Sequence, residues 1–144
     1  MNSSTAVSAE LEIKLVVPQE QAIVPLMASL SYSKDDPYAV RLDLNVGMDE
    51  PITWIFGRDL LDAGIKGEQG EGDVRVWPSP DAEGYGEIVL NLALSSPHGS
   101  ASFEAPIREV SSFLRLTYGI VPSGRESAHV DVDAELLEIL RQAS

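Results

Sequence analysis

The sequence contains no cysteine among its 144 residues, which excludes disulfide bonds, thiol catalysis and thiolate metal sites. Histidine is almost absent as well, and His98 and His129 leave little for imidazole-based metal binding. No apolar run approaches the ~20 residues that a membrane helix needs. No basic residue precedes an apolar segment at the amino terminus, so we expect no signal peptide and a cytoplasmic location.

Positive charge is also scarce: 10 Lys and Arg stand against 23 Asp and Glu, which gives a formal net charge of −13. Such a chain is repelled by phosphate backbones and anionic lipids unless its few bases are clustered. The bases are instead scattered along the sequence from Lys14 to Arg141. We therefore expect no nucleic-acid binding and no direct membrane insertion, and we attribute the acidity to solubility.

The length predicts one domain over residues 1–144, with flexible ends at residues 1–6 and 142–144. A chain of this size buries roughly two-thirds of its unfolded surface when it folds. It therefore needs neither a disulfide nor a metal to hold its core together.

Alternating apolar residues predict a meander of strands in the first half of the chain. Residues 7–17 alternate strictly, which indicates a strand with one face in solvent, and Pro18 ends it. The same pattern recurs at residues 26–32 and 40–46. Short turns join these strands to each other and to the next one, so we expect antiparallel pairing.

The segment of residues 51–64 is expected to be the centre of the fold. Residues 51–57 are β-branched and aromatic, which suits a strand that is buried on both faces. The helix formers and carboxylates that follow, closed by Gly64, predict a short helix that begins without a loop. Trp54 and Phe56 are expected to anchor this rigid corner.

A second block of strands is predicted after a glycine-rich segment. We interpret residues 66–72 as a mobile loop rather than a phosphate site, because Glu68 and Glu71 would repel phosphate. Three further strands are predicted at residues 73–77, 88–94 and 101–104, with residues 78–86 as a loop.

Two more helices complete the predicted architecture. Pro106 is expected at the first position of a helix that Gly119 closes. Asp131 or Asp133 is expected to cap a C-terminal helix with an apolar stripe over residues 136–140. Two antiparallel strand blocks, each followed by a helix, plus this last helix predict an α+β domain.

No set of residues has the pattern of a catalytic constellation. Asp35 and Asp36 occupy a predicted turn, where carboxylates belong for local reasons. Ser95 and Ser96 precede His98 in another turn, without the glycine-flanked elbow that a serine nucleophile needs. We therefore predict no enzyme activity and no catalytic, metal-binding or cofactor-binding residue.

Short segments in a fixed order along most of the chain carry a family resemblance. They comprise residues 36–40, 54–61, 72–78, 95–97 with Gly99, 104–106, 112–114, 131–133 and 135–136. Together they resemble the SsgA-like family of sporulation and cell-division proteins of actinobacteria, especially its short members. Gly57 departs from an expected alanine and His98 from an expected acid, and these departures leave the paralogue and its division step open.

The resemblance implies a non-enzymatic adaptor that helps to localise the tubulin-like division GTPase at sporulation septa and to promote its assembly. It also implies a homotrimer, a whirly-like fold and work together with other SsgA-like proteins. Whirly proteins bind single-stranded nucleic acid, so a nucleic-acid-binding module is the alternative. The mixed outward side chains Glu10, Lys14 and Asp43, without aromatic stacking platforms, weigh against that alternative.

Arg58 and Asp62 are the candidate protein-binding residues. They lie one turn apart at the end of a rigid strand, and we expect them on the exposed side of the helix. The alternative is that the two side chains merely pair with each other, a surface contact worth little. Because the implied partner is also acidic, affinity should come from packing and hydrogen bonds rather than from charge steering.

Overall fold

The computed structural model describes residues 5–17, 20, 22–97, 99–129 and 141. Its first block contains β1 (Ala6–Val17), β2 (Ala22–Ser33), β3 (Ala39–Asn45), β4 (Ile52–Gly57) and α1 (Arg58–Lys66). Its second block contains β5 (Gln69–Glu71), β6 (Val74–Pro80), β7 (Ile88–Ser96), β8 (Gly99–Pro106) and α2 (Ile107–Ile120). A short 3₁₀ helix, Glu126–His129, follows α2.

The strands form one antiparallel sheet in the order β4-β3-β2-β1-β8-β7-β6-β5. Each block is a meander, and the two meanders meet where β1 pairs with β8. Twelve residue pairs join β1 to β2, whereas the β1–β8 seam has the three pairs Lys14 with Glu104, Leu15 with Phe103 and Val16 with Ser102. The α+β class and the antiparallel pairing are thus confirmed, while the likeness to whirly proteins stays a prediction.

The hydrophobic core lies between one face of the sheet and the two helices. The alternation in β1 explains the choice of face, since Leu11 and Ile13 are buried while Glu10 and Glu12 are exposed. Phe113 and Leu114 of α2 and Leu61 of α1 pack into the same cluster. A single core therefore holds both strand blocks together.

The strand-to-helix corner is present, because α1 begins at Arg58 directly after β4. The expectation that β4 is buried on both faces is wrong. Phe56 is buried and Trp54 is half-buried, but Ile55 is 63% exposed and Ile52 is 45% exposed. Ile55 lies on the outer face of this terminal strand, where no described element covers it, whereas Ile52 lies on the core side, opposite Leu44, at the first residue of the strand.

The predicted loop at residues 66–72 contains a strand that the sequence analysis missed. β5 pairs with β6 across a tight turn in which Gly72 has a positive φ of 60°. β6 also runs through Pro78 to Pro80, where a loop was predicted. Proline is tolerated there because β5 pairs only with residues 74–76, so the rest of β6 has one neighbour.

The ends of α2 differ from the prediction. Pro106 is the last residue of β8 and precedes the helix, and α2 continues past Gly119 to Ile120. Gly119 keeps ordinary helical geometry and therefore does not end the helix. The predicted C-terminal helix, with Asp131 or Asp133 as its cap, lies outside the described residues.

Candidate functional site

The side chain of Arg58 lies at the centre of a buried polar cluster. Its Nη1 donates hydrogen bonds to the backbone carbonyl oxygens of Thr117, at 3.2 Å, and Val121, at 2.7 Å. Its Nη2 donates to Oε2 of Glu126 at 2.9 Å. Arg58 thereby links the β4–α1 corner to the C-terminal end of α2 and to the segment beyond it.

Two tyrosine rings enclose the same guanidinium group. Its central carbon lies 4.9 Å from the ring centroid of Tyr32 and 4.4 Å from that of Tyr118, distances at which cation–π attraction operates. The Tyr32 hydroxyl donates to the carbonyl oxygen of Pro37 at 2.9 Å, and the Tyr118 hydroxyl donates to Oδ2 of Asp62 at 2.9 Å. Each ring is therefore fixed by a hydrogen bond at its far end.

The backbone of α2 explains why a cation is stabilised at this place. The last carbonyls of a helix have no intrahelical partner and carry a partial negative charge. The last turn of α2 contains no basic residue of its own. Arg58 supplies that charge from another element: it donates to the carbonyl oxygen of Val121, the residue that follows α2, and shares the Thr117 carbonyl oxygen with the Val121 N–H.

The electrostatics of the cluster favour the charged form of Glu126 and the neutral forms of the two tyrosines. The hydrogen bond from Arg58 holds the pKa of the Glu126 carboxyl below its usual range. Burial raises the pKa of Tyr118, and the hydrogen bond to Asp62 raises it further. Burial likewise raises the pKa of Tyr32, so both tyrosines stay neutral at physiological pH.

Arg58 and Asp62 do not form the exposed pair that the sequence suggested. The expectation that Arg58 lies on the exposed side of α1 is wrong, because its side chain is fully buried. The alternative pairing is wrong too, since Arg58 pairs with Glu126 while Asp62, which is half-buried, accepts from Tyr118. A direct role of either residue in partner binding stays a prediction.

The sequence did contain a signal for the burial of Arg58. Arg58 occupies the same helical stripe as Leu61 and Ile65, at spacings of three and seven residues, and both of those pack on the core. No local pattern pointed to Tyr32, Tyr118 or Glu126, because these partners come from three distant segments of the chain.

The described residues contain neither a metal-binding group nor a membrane-spanning helix. No group of three or more His, Asp or Glu side chains there is arranged to hold a metal ion. No helix among the described elements is long and apolar enough to cross a membrane.

The antiparallel sheet and its two helices define an α+β domain. The buried ion pair of Arg58 and Glu126 joins elements of this domain and stabilises their packing. The chain belongs to the SsgA family. Its residues 26–126 match the family model described as "Streptomyces sporulation and cell division protein, SsgA". The family resemblance in the sequence is thereby confirmed.

Curated relatives extend this likeness over almost the whole chain. The chain is 51% identical to the sporulation-specific cell division protein SsgB of Thermobifida fusca, over 96% of this chain and 98% of the relative. It is 46% identical to SsgB of Streptomyces coelicolor, over 97% of this chain and 99% of the relative.

Two solved structures are similar in fold as well as in sequence. The crystal structure of an SsgA-like sporulation-specific cell division protein from Thermobifida fusca matches with a TM-score of 0.82 and 51% identity, over 96% of this chain and 98% of that one. A structure from work on SsgB mutations that correlate with longitudinal cell division in sporulating Streptomyces coelicolor matches with a TM-score of 0.81 and 46% identity. That match covers 88% of this chain and 96% of the solved one.

Proposed function

We propose that this protein is a non-enzymatic adaptor of sporulation-specific cell division. It helps to localise the tubulin-like division GTPase at the septum, promotes its assembly, and works with other SsgA-like proteins. The observation that carries the proposal is the near full-length identity of 51% and 46% to proteins named for sporulation-specific cell division. Their names describe division and no catalytic activity, which supports the adaptor role.

The paired charges on the outer face of the sheet favour a protein partner over single-stranded nucleic acid. Two of the bases on that face are engaged by acids: Arg41 pairs with Asp43, and Lys14 pairs with Glu83. A base that is already paired releases fewer counterions when it meets a phosphate, so it adds little to nucleic-acid affinity. The alternative function, a whirly-like nucleic-acid-binding module, is therefore disfavoured.

The proposed roles of Arg58 and Asp62 in partner binding differ from each other. Arg58 is enclosed, so it acts by fixing the position of α1 and of the segment that carries Glu126. Asp62 is partly accessible and is held by the Tyr118 hydroxyl, so it can present one carboxylate oxygen at a defined place. We expect Asp62, and not Arg58, to touch the partner.

The proposed homotrimer rests on the family resemblance and on exposed apolar side chains. Met27 on the outer face of the sheet and Ile88 at the start of β7 are 49% and 51% exposed. Large exposed apolar groups of this kind often mark interfaces between proteins. Light scattering at micromolar concentration should give the mass of three chains, and a monomer mass would end this part of the proposal.

Co-sedimentation with polymers of the division GTPase tests the adaptor function. The chain should pellet with polymer, and binding should hold or strengthen as salt rises, because screening weakens the repulsion between two acidic proteins. Asp62→Ala should weaken binding, whereas Asp49→Ala, an exposed acid in the β3–β4 turn, is the matched control and should not. Absence of the chain from the pellet would overturn the proposal.

A binding assay with single-stranded DNA distinguishes the two candidate functions. We expect no sub-micromolar affinity at physiological salt, since the chain carries a net charge of −13. Tight binding that falls steeply with salt would favour the nucleic-acid module instead. In cells, a fluorescent fusion should collect at sporulation septa together with the GTPase.

A further inference from the structure

The terminal strand β4 has an open edge without the usual protection. It is the last strand of the sheet, with β3 as its neighbour on one side. Its sequence, Ile52 to Gly57, contains no charged residue and no proline, which are the common devices that stop a strand edge from pairing. No described strand pairs with the backbone N–H and C=O groups on that side, so they can pair with an added strand.

A slot lies between this edge and the opposite end of the sheet. The sheet curls so that β4 approaches the β5–β6 turn, and a Cβ added at Gly57 would lie 3.6 Å from Oε2 of Glu71. The slot encloses about 290 Å³. It is lined by Trp54, Ile55, Phe56, Gly57, Leu60, Glu71, Asp73 and Val74.

The lining of the slot is apolar on one side and acidic on the other. Glu71 and Asp73 contribute two carboxylates, and none of the described residues that line the slot is basic. Both side chains are exposed, and neither forms a salt bridge to another described residue. The carboxylates therefore favour a cation that approaches along the β4 edge.

We propose that the open edge of β4 binds an extended basic peptide segment of another protein as an added strand. The peptide backbone pairs with β4, its apolar side chains lie against Ile55 and Trp54, and its Lys or Arg side chains meet Glu71 and Asp73. Addition of a peptide strand to a sheet edge is an established mode of recognition, in which the backbone supplies affinity and alternate side chains supply specificity. About six residues of peptide match the length of β4.

Electrostatic repulsion between acidic residues makes a basic peptide a more favourable occupant of the β4 edge than a second copy of the chain. Pairing of β4 with β4 would bring two sets of Glu71 and Asp73 together in molecules that each carry a net charge of −13. Like charges brought close without compensation oppose such association. A basic segment relieves this repulsion and pairs with the same backbone groups.

Synthetic peptides test the proposal on the full-length chain. A peptide that alternates Lys with Val or Ile should bind in fluorescence anisotropy, and the version with Glu in place of Lys should not. The double change Glu71→Lys and Asp73→Lys should lower affinity about tenfold, as expected for two lost ion pairs. The matched control, Glu10→Lys and Glu12→Lys, alters the net charge equally at exposed positions on β1, away from β4 and the slot, and should leave affinity within about twofold.

A second experiment separates backbone pairing from simple charge attraction. An N-methylated basic peptide keeps its charges but cannot donate to the strand ladder, so it should lose binding. Hydrogen exchange of the β4 amides should slow when the unmodified peptide is present. Equal binding of both peptides, or β4 protection by self-association in the absence of peptide, would overturn the proposal. The inference does not rest on the division role, because every reagent here is a purified chain or a synthetic peptide.

Discussion

Arg58 and Glu126 lie 68 positions apart in the sequence, yet Nη2 of Arg58 donates a 2.9 Å hydrogen bond to Oε2 of Glu126 with both side chains buried. Removal of one partner leaves the other charge buried and uncompensated. We therefore expect Arg58→Met to lower the free energy of unfolding by about 3 kcal/mol, measured by urea denaturation. The matched control is Arg41→Met, which breaks the exposed pair with Asp43 and should cost less than about 1 kcal/mol. Equal losses for the two variants would contradict this account.

Acid should remove the contribution of Glu126 to stability. Its pKa in the folded state lies below the usual value of 4.5, because of the hydrogen bond from Arg58. A carboxyl with a lowered pKa stabilises the fold fully above its unfolded pKa, and this stabilisation is lost as pH falls through the folded pKa. The difference in unfolding free energy between the wild type and Glu126→Gln should thus be constant above about pH 5 and shrink below it. A difference that stays unchanged into strong acid would disprove the assignment.

Gly64 should resist replacement, because α1 packs closely on β6 there. A Cβ at this position would lie 2.3 Å from Cγ1 of Val76 and 2.6 Å from its Cβ. Gly64→Ala should therefore destabilise the protein by about 1–3 kcal/mol, although alanine has the higher helix propensity. Gly119→Ala in α2 is the control, since no described atom outside its own helix backbone lies within 4 Å of the added Cβ, and it should stabilise by about 0.5 kcal/mol. Thermal unfolding of the two variants should show shifts of opposite sign.

The hydroxyl and the ring of Tyr118 should make separable contributions. Tyr118→Phe removes the 2.9 Å hydrogen bond to Asp62 but keeps the ring beside Arg58, and it should cost about 1 kcal/mol. Tyr118→Leu also removes the cation–π contact and should cost at least about 1 kcal/mol more. Chemical denaturation of both variants measures the difference, and equal losses would show that the ring contact adds nothing.

Gly57 offers a test of the departure from the family pattern. Its backbone has φ −67° and ψ 140°, a conformation that alanine adopts without strain. An added Cβ meets Oε2 of Glu71 at 3.6 Å, an ordinary contact distance. Gly57→Ala should therefore stabilise the fold by about 0.4–1 kcal/mol, because alanine lowers the conformational entropy of the unfolded chain. A loss of stability in thermal unfolding would show that glycine is required at this corner.

Strands with a regular alternation were predictable because their pattern is local. Leu11 and Ile13 point inward, and Glu10 and Glu12 point outward, as a period of two requires. β5 was missed because its residues Gln69–Glu71 carry no apolar pattern, and its strand geometry comes from pairing with β6. Such pairing depends on the folded sheet, so it cannot be recognised from the residues of a short sequence segment.

The candidate site was predictable in position but not in environment. The corner at Arg58 followed from the change of pattern after Phe56, and the inward stripe shared with Leu61 was available in the sequence. The enclosure of the guanidinium by Tyr32 and Tyr118, however, depends on how β2 and α2 come together. Contacts between distant segments are set by tertiary packing, which a reading of one segment at a time does not contain.

The position of β1 at the centre of the sheet has a consequence for synthesis on the ribosome. β1 is made before the other seven described strands, and its second neighbour, β8, begins at Gly99, so one edge of β1 remains unpaired until the segment up to β8 has emerged. An unpaired edge in a growing chain invites aggregation. The charged residues Glu10, Glu12 and Lys14 lie along β1, which is not yet paired with β8 at that stage. We therefore expect the same side chains that form the outer face of the finished sheet to keep the nascent chain soluble while the β1–β8 seam is still open.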